Sequence, residues 1–232
     1  MKINQNVISA SFANGVENLV FLGSSCIYPK FAKQPIVESE LLSGSLEPTN
    51  EGYALSKIVG IKLCEFLRRQ YGVRYYSIMP CNLYGPGDNY NTETGHVLPT
   101  LIRKFSEAAH SSQPYVTLWG NGTPLREFLY SEDLGEAVVK SLDIETEKLP
   151  DLMNIGSGVE VTIAELADMV KDATGYMGDI VWDHSKPNGT PRKVMDSSLF
   201  KSLMDWQPKT TLKEGISLCV NDYLKNKDIL RK

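Results

Sequence analysis

Leu19-Val20-Phe21-Leu22-Gly23-Ser24-Ser25-Cys26 is the stretch on which the fold turns. Four consecutive apolar residues ending in a Gly-Ser-Ser corner read as a strand buried on both faces of a parallel sheet, because a strand with one wet face alternates. On its N-terminal side Ile3, Val7, Ile8, Ser11 and Phe12 recur at helical spacing, and Asn14-Gly15 is a helix stop. On its C-terminal side a polar loop with Pro29, Pro35 and Pro48 leads into a long helix, about Tyr53 to Gln70, whose apolar positions are Ile58, Ile61, Leu63, Phe66 and Leu67. Tyr75 to Met79 is the next strand, and Pro80 to Gly87 the loop that follows it. Strand, helix and strand at this spacing make a βαβ unit, whose crossover is right-handed.

Further out the pattern predicts a helix over His96 to Ala109, strands at Val116–Trp119 and Glu127–Tyr130, and a helix over Glu132 to Leu142. A strand at Met153–Ile155 follows, then a helix from Ile163 to Ala173 with Thr162 and Glu165 in capping-box positions. A strand near Ile180–Trp182 and a helix over Leu212 to Leu224 complete the reading. Alternation of this kind means an α/β fold with a parallel sheet and a smaller C-terminal α/β portion.

Composition narrows the function classes. Across 232 residues, 42% hydrophobic and 22% charged are the fractions of a globular chain and exclude disordered, collagenous and coiled-coil classes. Twenty-four Lys and Arg against 28 Asp and Glu leave a net charge of −4, with no broad basic field to hold nucleic acid. Runs such as Asn18 to Leu22 are far too short to span a membrane, and Met1 to Asn6 lack the apolar core of a signal peptide. Cys26, Cys64, Cys81 and Cys219 form no CxxC pair and meet only three histidines, which argues against a disulfide framework or zinc site and for a reducing cytoplasm.

Tyr53 and Lys57, at i and i+4, share a face of the long helix, where an ammonium beside a phenol stabilises the phenolate. Taken alone, the pair reads as an ordinary amphipathic helix that happens to place Tyr before Lys. Ser24 stands at the carboxyl end of a strand, where open α/β sheets bind ligands, and its hydroxyl can donate to a substrate oxygen. Ser24, Tyr53 and Lys57 in this order of elements give each other weight.

Phe21-Leu22-Gly23-Ser24-Ser25-Cys26-Ile27-Tyr28-Pro29-Lys30, Glu47-Pro48-Thr49-Asn50-Glu51 and Tyr53-Ala54-Leu55-Ser56-Lys57 resemble the GDP-L-fucose synthase family of extended short-chain dehydrogenase/reductases. The resemblance runs on through Asn82-Leu83-Tyr84-Gly85-Pro86, His96-Val97-Leu98-Pro99, Trp119 to Phe128 and Gly189-Thr190-Pro191-Arg192-Lys193. It implies a Rossmann-like, doubly wound parallel sheet lacking its first strands, with a C-terminal α/β substrate-binding portion. The expected division is residues 1–90, half of an NADP-binding domain, and 91–232, mostly nucleotide-sugar-binding, with about 127–158 returning to the sheet. The family opens with a Gly-rich fingerprint that these residues do not contain, so the reading expects an incomplete cofactor half-site and an open edge on the Leu19–Leu22 strand.

The resemblance also implies the chemistry. The family epimerises GDP-4-keto-6-deoxymannose at C3 and C5 and reduces C4 with NADP(H). Cys26 takes the place of the base and His96 of the acid, while Ser24, Tyr53 and Lys57 serve the reduction. Leu22, Gly23, Ser24, Ser25, Lys57, Pro80, Cys81, Asn82, Leu83 and His96 match cofactor-lining positions. Lys104, Trp119, Arg126, Asn188 and Lys193 match positions that hold the GDP-sugar, Asn188 standing where the family usually has aspartate. A homodimer through the long helix and the helix before it is the expected assembly, with neither nucleic acid nor membrane as a partner. Two other readings stay open: a nucleotide-sugar dehydratase, which would place Asp-Glu where Ser25-Cys26 stand, or a 4-epimerase; and a cofactor-deficient remnant that binds nucleotide sugar or only dimerises.

Overall fold

The computed structural model describes residues 1–227. In chain order the elements are α1 (Lys2–Ala13), β1 (Asn18–Leu22), α2 (Glu51–Tyr71), β2 (Arg74–Pro80), β3 (Asn82–Tyr84), α3 (Val97–His110), β4 (Tyr115–Trp119), β5 (Leu125–Tyr130), α4 (Ser131–Ser141), β6 (Leu152–Ile155), β7 (Glu160–Thr162), α5 (Ile163–Thr174), β8 (Asp179–Asp183), β9 (Arg192–Lys193), α6 (Ser198–Leu203) and α7 (Leu212–Asn226). They form two compact units: Met1–Asn82 with Leu134–Gly158 and Lys193–Gln207, and Leu83–Asp133 with Val159–Arg192 and residues from Pro208 onward. The first unit thus takes 134–158, part of the stretch expected to return to the sheet, and also 193–207.

The first unit is built on the parallel sheet β1-β2-β6. Asn18 to Leu22 pair with Arg74 to Ile78, and Ser77 to Pro80 with Leu152 to Ile155. β2 lies in the middle and is buried from Tyr75 to Pro80, as a central parallel strand must be. β1 departs from the expectation of burial on both faces: Asn18 and Leu22 are exposed and the three residues between them half-buried. The pleat gives the reason. Leu19 and Phe21 pack with Phe12, Leu63 and Leu67 against Ile8, Cys64 and Tyr75, whereas Leu22, on the alternate face, is 39% exposed.

α2 carries an acidic residue, Glu51, in its first turn and Arg68 and Arg69 in its last, each where the helix dipole favours it. It stops at Gly72, whose φ of 74° is the left-handed cap conformation that glycine adopts without penalty. Arg68 then clamps the Ser141–Leu152 connection, donating to Leu149 O at 2.6 Å and to Asp151 Oδ1 at 3.2 Å.

The second unit is centred on three helices. α3, α5 and α7 pack on one another around Leu101, Ile102, Phe105, Leu166, Val170, Ile216 and Val220. The capping box expected at Thr162 and Glu165 is present, and Thr211 with Glu214 forms a second at α7. β5 pairs antiparallel with β7, and β4 runs parallel to β8. Asn82–Tyr84, expected as loop, is strand β3 alongside β5. Three residues between prolines carry no readable period, and the partner supplies the structure.

Candidate functional site

Within the first unit the corner after β1 is built by its own side chains. Ser24 is extended, with φ −166° and ψ 147°, and its Oγ accepts the Cys26 N–H at 3.3 Å, capping the short 3-10 turn Ser25–Ile27. Ser25 is buried, and Ser24 and Cys26 are half-buried. α2 packs against this turn. Two residues after Cys26, the buried Tyr28 donates to Asn154 Oδ1 at 2.6 Å, and Asn154 Nδ2 donates to Ile36 O at 2.9 Å. Burial, then the charge of Glu38, push the Tyr28 phenol far above its ordinary range, so it stays a donor at any working pH.

Tyr53 lies in the first turn of α2 and is 48% exposed. One turn on, Lys57 donates to Leu22 O at 2.8 Å, with its Nζ 5.9 Å from the Tyr53 ring centre and 5.2 Å from that of Phe21. Burial lowers the Lys57 ammonium's hold on its proton below the usual lysine range. Gly60, missed by the sequence reading, makes this approach possible: a Cβ there would meet Phe21 Cε1 at 2.8 Å. A glycine inside an otherwise strong helix is the signal that could have found it.

Leu22, Gly23, Pro80, Cys81 and Asn82 stand at or just beyond the carboxyl ends of β1 and β2, and the Gly23 N–H donates to Ile78 O at 2.9 Å. Because the two strands are parallel, these ends lie along one edge of the sheet, where open α/β folds receive ligands. Lys193, expected at the GDP-sugar, meets this corner: its Nζ donates to Cys26 Sγ at 3.4 Å. The first unit therefore brings together Ser24, Cys26, Tyr53, Lys57 and Lys193.

The second unit carries the other expected residues. His96 is the exposed N-cap of α3, and Leu83 belongs to β3. Lys104 is half-buried on α3 beside a cavity of about 300 Å³ that it lines with Glu107, Gln113, Tyr115 and Thr117, and burial lowers its pKa. Trp119 ends β4, 65% exposed, with Lys186 Nζ 5.6 Å from its ring centre. Arg126 is half-buried and donates to Leu125 O at 2.7 Å; among the described residues it joins no ion pair, and burial lowers its pKa. Asn188 accepts the Asn121 N–H at 2.8 Å and packs on Gly120, whose φ is +79°, so its side chain braces the turn that follows Trp119.

Known proteins are similar to this chain in sequence and in fold. A family model for the NAD dependent epimerase/dehydratase family matches residues 1–156. The chain is 54% identical to GDP-L-fucose synthase 1 of Arabidopsis thaliana, an alignment covering 97% of this chain and 69% of the relative. It is 47% identical to the GDP-L-fucose synthase of Escherichia coli K12, covering 100% of this chain and 74% of the relative. A crystal structure of a GDP-L-fucose synthetase from Naegleria fowleri bound to NADP superposes with a TM-score of 0.91 at 28% identity, covering 99% of this chain and 73% of that one. On this family match and these identities, the chain belongs to the NAD dependent epimerase/dehydratase family, on its GDP-L-fucose synthase branch.

Proposed function

We propose that the chain converts GDP-4-keto-6-deoxymannose to GDP-L-fucose, epimerising C3 and C5 and reducing C4. The observation that carries the reading is the corner after β1, where Ser24 and Cys26 share one hydrogen-bonded turn packed against the helix that holds Tyr53 and Lys57. A dehydratase would carry Asp-Glu where Ser25-Cys26 stand, whereas a thiol paired with a histidine acid suits proton abstraction by an epimerase-reductase. In this reading Cys26 removes the proton next to the C4 ketone and His96 returns one from the other face. The Tyr53 phenol then protonates the C4 oxygen, with Ser24 polarising it and Lys57 steadying the phenolate left behind.

The corner fits a nicotinamide cofactor: the half-buried Lys57 ammonium is held at Leu22 O at the strand end, and Gly23, with no side chain, leaves bare backbone at the same edge. NADPH, when bound, supplies the hydride that C4 receives. Lys57 would hold the ribose, with Leu22, Ser25, Cys81, Asn82 and Leu83 beside the nicotinamide. Arg126, Lys104 and Trp119 would hold the diphosphate and guanine, Arg126 by bidentate contact.

The finer reading is a cytoplasmic homodimer. Four unpaired cysteines suit a reducing compartment, and α1 and α2 leave Ile3, Val7, Val59 and Phe66 exposed for a partner helix pair; light scattering of Phe66→Glu reads the assembly. The activity is tested by splitting it. Cys26→Ser abolishes solvent deuterium exchange at C3 and C5 while keeping reduction of pre-epimerised ketone, and Tyr53→Phe does the reverse, each loss being about 10²–10⁴-fold. Equal loss of both activities in both variants refutes the assignment.

A further inference from the structure

We propose that Lys193 is the positioning residue of the epimerisation base: its ammonium fixes the Cys26 sulfur and holds the negative charge that the sulfur carries before it takes a proton. The inference rests on the epimerase reading and adds a second role to the expectation that Lys193 meets the GDP-sugar. Lys193 Nζ donates to Cys26 Sγ at 3.4 Å across 167 residues of sequence. No ion pair with a carboxylate engages Lys193 among the described residues.

The contact is built rather than incidental, because both partners sit on anchored backbone. On the lysine side, the Val194 N–H donates to Gln34 Oε1 at 2.9 Å, Val194 O accepts the Ile36 N–H at 2.9 Å, and the Asp196 N–H donates to Ile36 O at 2.8 Å. Val194 and Met195 are buried. On the cysteine side, Ser24 Oγ caps the turn and Tyr28 is pinned to Asn154. The two anchors converge: Asn154 Nδ2 donates to the same Ile36 carbonyl that receives the Asp196 N–H. One buried network therefore fixes the cysteine turn and the lysine strand together, and a side chain reaching from one to the other keeps its aim.

The chemistry uses that aim. A thiolate is the form of cysteine that accepts a proton, and a neighbouring ammonium favours it. As the C–H bond at C3 or C5 breaks, its electron pair moves into the enolate centred on the C4 oxygen, and its proton forms the S–H bond of Cys26. Lys193 keeps all three of its protons throughout, and its N–H directs the sulfur's remaining lone pairs.

The test reads the pair without turnover. Cys26 is the half-buried cysteine, whereas Cys64, Cys81 and Cys219 are buried, so mass mapping after iodoacetamide treatment at pH 7.4 (roughly physiological, where a cationic neighbour raises the thiolate fraction) isolates its rate. Lys193→Met slows Cys26 alkylation about tenfold, the scale of a lost cationic neighbour, and Lys193→Arg restores it to within about threefold of the wild type. Solvent deuterium exchange into the substrate follows the same order. An alkylation rate unchanged in Lys193→Met overturns the proposal, as does one that Lys193→Arg fails to restore. Should the chain prove inactive on the GDP-sugar while the alkylation order holds, the functional reading falls and the pairing of Lys193 with Cys26 stands.

Discussion

Gly60→Ala puts a single methyl where α2 lies on β1. Its Cβ would stand 2.8 Å from Phe21 Cε1, 3.0 Å from Cε2 and closer still to Cζ, where ordinary contact begins at 3.4 Å. Helix or ring must yield by roughly 1 Å, and forcing a methyl into a packed contact costs about 1–3 kcal/mol. Alanine in a helix interior returns about 1 kcal/mol over glycine, so the net loss is between about 0 and 2 kcal/mol. The larger effect is on function. The Phe21 ring lies under the Lys57 ammonium at 5.2 Å, and Lys57 reaches Leu22 O at 2.8 Å, so a shift of this size moves the lysine off the strand end. A misplacement of about 1 Å lowers a rate about 10²-fold. Urea unfolding and the rate of ketone reduction are measured for Gly60→Ala, Phe21→Leu and the double variant; shortening the ring relieves the clash, so the double variant is more active and more stable than additivity predicts. A Gly60→Ala protein more stable than the wild type by the full 1 kcal/mol of helix propensity, with reduction unchanged and no coupling to Phe21, would refute the close-approach argument.

Asn154→Ala leaves the buried Tyr28 hydroxyl without its acceptor and removes one donor from Ile36 O; it costs about 2–3 kcal/mol by urea unfolding, and Tyr28→Phe adds little on top of it. Arg126→Ala weakens GDP-sugar binding by about 1.5–3 kcal/mol in calorimetry and leaves NADPH affinity unchanged; equal losses for both ligands would make it a structural residue. Glu160 takes two hydrogen bonds from Arg192, at 2.8 and 2.6 Å, and that partner lowers its pKa. Its stabilisation is present above the ordinary carboxylate range and is lost as the pH falls through the lowered value, so thermal melts of Glu160→Gln show a shallower acid-side decline than the wild type.

Much of this architecture is written locally. The apolar run at Leu19–Leu22, the period of Ile58, Ile61 and Leu63, and the second strand from Tyr75 declare a βαβ unit because each element carries its own period. Ser24, Tyr53 and Lys57 are legible for the same reason, since their order along strand, corner and helix is a property of sequence. What sequence hid is held at long range. β3, β7 and β9 have three residues or fewer, too few for any alternation, and exist through their partners. Asn154 sits in the apolar run Met153-Asn154-Ile155 and looks like an interruption; its partner Tyr28 is 126 residues away. Lys193 reads as one more basic residue near a phosphate site until its distance to Cys26 is known.

These long-range contacts divide the corner into two separately supported halves. Tyr53 and Lys57 ride on α2, whose seat is the Gly60–Phe21 contact and the Lys57 bond to Leu22 O. Cys26 rides on a 3-10 turn whose seat is Tyr28 on Asn154, with Lys193 steering the sulfur from a strand tied to Ile36. If the phenol serves reduction and the thiol serves epimerisation, damage to each seat falls on one half-reaction. Gly60→Ala then depresses ketone reduction more than solvent exchange at C3 and C5, and Asn154→Ala depresses exchange more than reduction, although neither residue touches a reacting atom. The two ratios move in opposite directions. A common loss of stability cannot produce that crossing, because partial unfolding lowers both activities by the same factor. Ratios that move together in both variants would mean that the corner behaves as a single rigid body and that its supports are not assigned to separate steps.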